Sequence, residues 1–185
     1  MEKPSWGKWG TWEETESFLG KQVGITVGAD DVEKGSIRKW LEPKEFDCPL
    51  HYDDGAAKNA SYEGIVAPCT MVLTCGVGPY WKRGDPPSNL EDPPKGIQIP
   101  VIFDVPAPCT LSFASNIDIE FFAPMYIGDT ITCTSRLTDI THKELRVGKG
   151  AFLRQEDTYM NQRGEVVAVS ELTIFRFVPP DEGEN

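Results

Sequence analysis

The strongest constraint on the fold is a division along the chain. One segment, TMVLTCGVGPYW (residues 70–81), is apolar nearly all round, and most of the chain beyond residue 110 alternates with a period of two. An element that is apolar on every side belongs in a core. Alternation marks strands with one face turned inward. SNIDIEFFAP places Ile117, Ile119 and Phe121 on one face, and DTITCTSRLTDITHK is a long Thr- and Ile-rich strand. GKGAFLRQEDTYMNQ and GEVVAVSELTIFRFV complete an antiparallel set, with Arg163 and Gly164 as the hairpin turn between them. A buried helix within residues 70–81, its end marked by Gly78 and Pro79, followed by long antiparallel strands predicts an α+β domain whose sheet wraps the helix.

The earlier part of the chain supplies short elements. Trp6, Trp9 and Trp12, spaced by three, fit one face of a terminal helix docked on the core, and Gly20 stops it. KQVGITVGA reads as a short strand. GADDVEKGSIRKWLEP reads as a helix capped by Asp30 or Asp31, ended by Pro43, with Val32, Ile37, Trp40 and Leu41 as its buried stripe. AAKNA is a short helical piece. Residues 82–108 form a Pro-rich excursion expected to be ordered, because Ile97, Ile99, Val101, Ile102 and Phe103 give it something to bury. The predicted organisation is an extension (1–20), one domain (21–178) and an acidic tail (179–185).

The 185 residues suit one domain with a sizeable core. A net charge of −11 argues against a sequence-independent grip on nucleic acid or an anionic membrane, since both require a basic face. No signal-like or membrane-spanning apolar run is present, so a cytoplasmic protein is expected. Cys48, Cys69, Cys75, Cys109 and Cys133 are odd in number and scattered, which fits free thiols rather than disulfides or a metal site. His51 and His142 are the only histidines, so any imidazole chemistry rests on one of them.

Three phrases in order, CPLHYDD (48–54), YEGIVAPCTM (62–71) and IEFFAPMYIGDTIT (119–132), resemble the MaoC-like acyl-CoA hydratase/dehydratase family, in its dehydratase N-terminal subgroup. The resemblance implies a hotdog fold, a long antiparallel sheet wrapped around a central helix. It also implies reversible hydration of a trans-2-enoyl thioester, with an Asp/His pair around one water and backbone N–H groups on the thioester oxygen. No cofactor is implied, since CoA enters as part of the substrate. The expected partner is a second hotdog subunit, in a homodimer or a heteromer, with two long helices against one continuous sheet and no free edge between them.

The family phrase Asp-x-Asn-Pro-x-His falls on residues 46–51. His51 and Pro49 match; Phe46 stands in the catalytic Asp place and Cys48 in the Asn place. His51 is therefore the expected acid/base group and Asp47, one residue off the family position, its partner if the local turn re-aims it. The family's oxyanion N–H falls near Pro68, which has none, leaving Cys69 and Thr70 as donors. Tyr62, Tyr80, Trp81 and Phe103 are expected to line the acyl site. Lys82, Arg83, Lys143, Arg146 and Lys149 are candidates for CoA phosphate contact. Asp129 reads as a turn residue before a strand, and His142 as a surface residue. Phe46 in the catalytic Asp place and Pro68 in the oxyanion place also fit a non-catalytic half, shaping an acyl tunnel for a bulky group such as a steroid side chain. Such a half would be a partner subunit or an acyl-thioester-binding module. An acyl-CoA thioesterase is a third reading, weakened because residues 70–81 carry no carboxylate to activate water.

Overall fold

The computed structural model describes residues 7–79, 83–84 and 99–180. Among the described residues, five antiparallel strands form one sheet in the order β1-β3-β4-β5-β2: β1 (Gln22–Val27), β2 (Leu111–Phe121), β3 (Thr132–Leu145), β4 (Gly148–Met160) and β5 (Val166–Val178). This is the hotdog sheet. β3, β4 and β5 are 13 or 14 residues long. Burial alternates along β4 from Ala151 and along the first half of β3 (Cys133, Ser135, Leu137), where one face is covered, whereas β5 is buried in runs at Val167–Ala168 and Ile174–Phe177. The β4–β5 hairpin turns at Gly164, whose φ of +81° favours glycine. Ile117, Ile119 and Phe121 share one face as expected. Leu111 and Phe113 pair with Phe177 and Phe175 on the other face, and the irregularity between Ala114 and Asn116 is where β2 changes faces.

Short helical pieces cover the inner face: α1 (Trp12–Glu16), α2 (Lys34–Leu41), α3 (Asp54–Asn59), α4 (Val72–Cys75) and α5 (Pro100–Phe103). The long helix expected over 70–81 is reduced to a 3-10 turn at Cys69–Met71 and the single turn of α4. Gly76 ends it where the backbone lies against the sheet; a Cβ there would sit 2.8 Å from the Tyr159 ring. The chain then runs beside residue 29, with the Ala29 N–H bonded to the Val77 carbonyl at 2.9 Å. Met71, Val72 and Gly76 are buried without a long helix, while Leu73 and Thr74 face outward.

Two further expectations are corrected. Neither Asp30 nor Asp31 caps α2. The helix starts at Lys34 with Glu33 making no side-chain cap bond, and the Asp31 carboxylate instead accepts from the Thr130 hydroxyl. The tryptophan face is also absent: Trp9 precedes α1, which begins at Trp12 behind a Thr11/Glu14 capping box, and Trp6 lies outside the described residues. Most of residues 82–108 lie outside them too. The described end of that excursion is anchored beneath by the Val101 N–H to Gln155 Oε1 (3.2 Å) and by Arg176 to the Val101 and Val105 carbonyls (2.9 and 2.5 Å).

Among the described residues the core has two apolar clusters. One gathers Val32, Ile37, Leu41, Met71, Val72, Ile131, Tyr159 and Ala168; the other gathers Val101, Val105, Leu137, Leu153 and Ile174. The sheet register sets a polar row, Ser135–Asp157–Ser170, between them. Burial raises the pKa of Asp157, and its carboxylate accepts from Ser135 (2.5 Å) and Gln155 (2.8 and 3.0 Å). Among the described residues no helix is long and apolar enough to cross a membrane.

Candidate functional site

Backbone bonds bring the three phrases together. The Val66 N–H donates to Leu50 O at 3.0 Å, Ala67 N–H donates to Met125 O at 2.8 Å, and Val66 bridges Tyr126. Asp129 holds the third phrase. Its side chain is 2% exposed and accepts from Tyr126 N–H (2.8 Å) and Arg163 Nη1 (2.6 Å), while its own carbonyl accepts from Val32 N–H. It is a turn residue before a strand, as its place in the sequence suggested, and it ties the site loop to the β4–β5 hairpin.

His51 ends a 3-10 turn, Pro49–His51, opened by a proline that needs no N–H there. Its Nδ1 lies 2.7 Å from the Val66 carbonyl oxygen. A carbonyl can only accept, so Nδ1 carries the proton and donates. In the neutral ring, Nε2 is then left with a free lone pair. The half-buried imidazole lines two clefts. The larger, about 690 Å³, is formed by α2, the turn after it and Tyr52; the smaller, about 300 Å³, by Leu50, Tyr62, Val66, Cys69, Phe121 and Val167 among others.

Phe46 lies in the larger cleft with its ring 5.7 Å from that of His51, so an aromatic face occupies the place of the family carboxylate. Asp47 lines the same cleft and makes no hydrogen bond to His51. Its carboxylate accepts from the Tyr52 hydroxyl, and that bond pushes the Tyr52 pKa up. Tyr52 was not among the residues the sequence pointed to; nothing in the spacing announces a bond five residues back. Pro68 caps the 3-10 turn Cys69–Met71 without a side-chain bond. The N–H groups of Cys69 and Thr70 open that turn and find no acceptor among the described residues.

Tyr62 lines the smaller cleft beside His51. Phe103 does not line either cleft; it ends α5, next to Val101 and Val105 of the second apolar cluster. Tyr80, Trp81 and Lys82 lie outside the described residues. Lys143 and Lys149 line a separate groove of about 250 Å³ with Trp12 and His142, at the β3–β4 hairpin. Tyr159, by contrast, stands at the far end of β4 beside Ala168, whose β2 partner Phe121 lines the smaller cleft. Ten residues at a rise of about 3.3 Å separate these ends by about 33 Å. Burial pushes the Cys109 and Cys133 thiols up to about 11 and about 12, which leaves both unreactive. Among the described residues no group of three His, Cys, Asp or Glu side chains could hold a metal ion.

A protein-family model described as "FAS1-like, dehydratase domain region" matches residues 17–170, and the chain belongs to that family, within the MaoC-like hotdog proteins. A "Probable enoyl-CoA hydratase alpha subunit" of Thermomonospora curvata is 29% identical over 173 residues, 90% of this chain and 53% of the relative. A "3-oxo-4,17-pregnadiene-20-carboxyl-CoA hydratase alpha subunit" of Mycobacterium tuberculosis is 27% identical over 155 residues, 83% of this chain and 47% of the relative. The chain thus spans about half the length of these curated relatives. The fold is similar to that in the crystal structure of the ChsH1-ChsH2 complex from Mycobacterium tuberculosis. There the TM-score is 0.66 and the identity 23%, with 93% of each chain covered.

Proposed function

We propose that the chain is a subunit of an enoyl-CoA hydratase/dehydratase, a hydro-lyase that adds water reversibly across a trans-2-enoyl thioester. The observation that carries this is the His51 geometry: Nδ1 is fixed on the Val66 carbonyl and Nε2 is left for a water between the two clefts. In the hydration direction Nε2 takes a proton from water as the water oxygen bonds to C3. The C2–C3 π pair shifts toward the thioester oxygen, which the Cys69 and Thr70 N–H groups would hold. The proton on His51 then passes to C2, so that H and OH have been added and the imidazole is restored.

A second hotdog subunit fits the β2 edge. That edge is unpaired among the described residues, and Ile117, Phe121 and Phe122 stand half exposed on or just after it. The larger cleft has room for a bulky acyl group, in keeping with the steroid substrate in the name of the mycobacterial relative. A second reading, a non-catalytic partner subunit or acyl-thioester-binding module, is favoured by Phe46 in the acid's place and by Pro68. The test is hydration of a short trans-2-enoyl-CoA and a steroid side-chain enoyl-CoA, by the chain alone and with a partner hotdog. Turnover falling by about a hundredfold or more in His51→Ala supports the catalytic reading. Turnover that needs the partner and ignores His51→Ala supports the second.

A further inference from the structure

We infer that Asp47, re-aimed by a left-handed turn at Glu45 and held by the Tyr52 hydroxyl, takes over the work of the carboxylate missing at Phe46, with Tyr52 as its positioning residue. This rests on the hydratase reading and names the acid/base set for it.

The turn is visible in the backbone. After α2 the chain continues as a 3-10 turn, Glu42–Lys44, and then stops in a paired-bond cap: Phe46 N–H reaches Leu41 O at 3.3 Å and Glu45 N–H reaches Glu42 O at 3.1 Å. That is a Schellman end, and the residue it places in the left-handed region is normally glycine. Here it is Glu45, with φ 49° and ψ 37°. A non-glycine residue in that conformation carries strain, and such strain concentrates where geometry serves function. The cap fixes the direction in which Phe46 and Asp47 leave the helix. Phe46 turns its ring toward His51, and Asp47 faces the same cleft.

A second turn brings Tyr52 back. Its N–H closes the 3-10 turn on Pro49 O at 3.2 Å, and its hydroxyl donates to Asp47. Asp47 and Tyr52 therefore close a six-residue loop that contains His51. One carboxylate oxygen is taken by the tyrosine and the other is left for a ligand. That second oxygen can accept from the hydrogen of the attacking water that His51 does not take, so the water is held between two acceptors. Tyr52 transfers no proton. Its hydroxyl, kept protonated by the neighbouring carboxylate, fixes where Asp47 points.

The experiment compares wild type, Asp47→Asn and Tyr52→Phe in the assembled protein, with trans-2-butenoyl-CoA as probe. Asp47→Asn should lower kcat by about a hundredfold. Tyr52→Phe should lower kcat by about tenfold with KM unchanged, the loss of one charge-assisted hydrogen bond. Tyrosine titration provides a readout independent of turnover: Tyr52 and the buried Tyr159 should both titrate above the ordinary range in wild type, and in Asp47→Asn only Tyr52 should return to it. Wild-type turnover that Asp47→Asn leaves within about twofold overturns this assignment alone. A tyrosine titration that Asp47→Asn does not move overturns Tyr52 as the positioning residue. No turnover of any enoyl-CoA by wild type overturns the hydratase reading, and this assignment with it.

Discussion

The sheet and the segment that carries the site are specified in different ways. β3, β4 and β5 are each paired on both sides, and their inward residues Leu137, Ala151, Leu153 and Ile174 are essentially inaccessible. Residues 41–75 instead form three- to six-residue helical pieces, held by the Schellman end at Glu45, by the Asp53 cap on Gly55 and Ala56 N–H, and by cross-links through Val66 and Ala67. Burial and ladder bonds define the first region; caps and a few long-range backbone bonds define the second. Stability should therefore respond mainly to the sheet, and activity mainly to the segment.

The largest stability effect should come from Leu153→Ala, a truncation in the buried middle of β4. A loss of about 3 kcal/mol is expected in chemical denaturation, whereas His51→Ala should change the unfolding free energy by less than about 1 kcal/mol. A His51 variant that unfolds as readily as Leu153→Ala would erase the distinction. Asp129→Ala comes next, because Asp129 joins the two regions. Removing its buried carboxylate strands the Tyr126 N–H, and a loss of roughly 2 kcal/mol is expected. Its hydration rate should fall as well, since the loop carrying Met125 and Tyr126 sets the place of Ala67 and Val66.

The two regions were unequally legible in the sequence. Strand alternation gave the sheet and even the shared face of Ile117, Ile119 and Phe121, because a period of two is a local signal tied directly to burial. The apolar segment at 70–81 signalled burial correctly only for Met71, Val72 and Gly76, and a long helix wrongly, since Gly76 and Gly78 let the backbone lie on the sheet. The Asp31 carboxylate was unreadable as anything but a cap, because Thr130, its partner, lies 99 residues away. In the site, His51 and the order of the three phrases were legible. The tautomer-setting carbonyl of Val66, fifteen residues on, was not. Nor was the Asp47–Tyr52 bond, because a glycine would have marked the left-handed turn and the chain has Glu45 there.

A smaller effect separates the polar row from its apolar surroundings. Burial raises the pKa of Asp157 in the folded protein above the unfolded value of about 3.9. The folded state then binds the proton more tightly. This contribution to stability is full below the unfolded value and is lost as pH rises through the raised one. Asp157→Asn should flatten the decline in stability as pH rises above about 4. Equal slopes in the two proteins would show that the carboxylate is solvated in the fold, and that the sheet's inner face is less dry than its register implies.

The smallest expected effect is the most informative about the site segment. Glu45→Gly removes a Cβ from a left-handed residue and should relieve about 1 kcal/mol of strain. The greater freedom of glycine in the unfolded chain offsets part of that gain, so the net change in unfolding free energy should be small and stabilising. If the left-handed turn only ends α2, hydration should be untouched. If it aims Asp47, a more freely moving turn should lower kcat while the protein becomes more stable. Stability and rate changing in opposite directions at one exposed residue would show that this strain is maintained for the placement of the carboxylate.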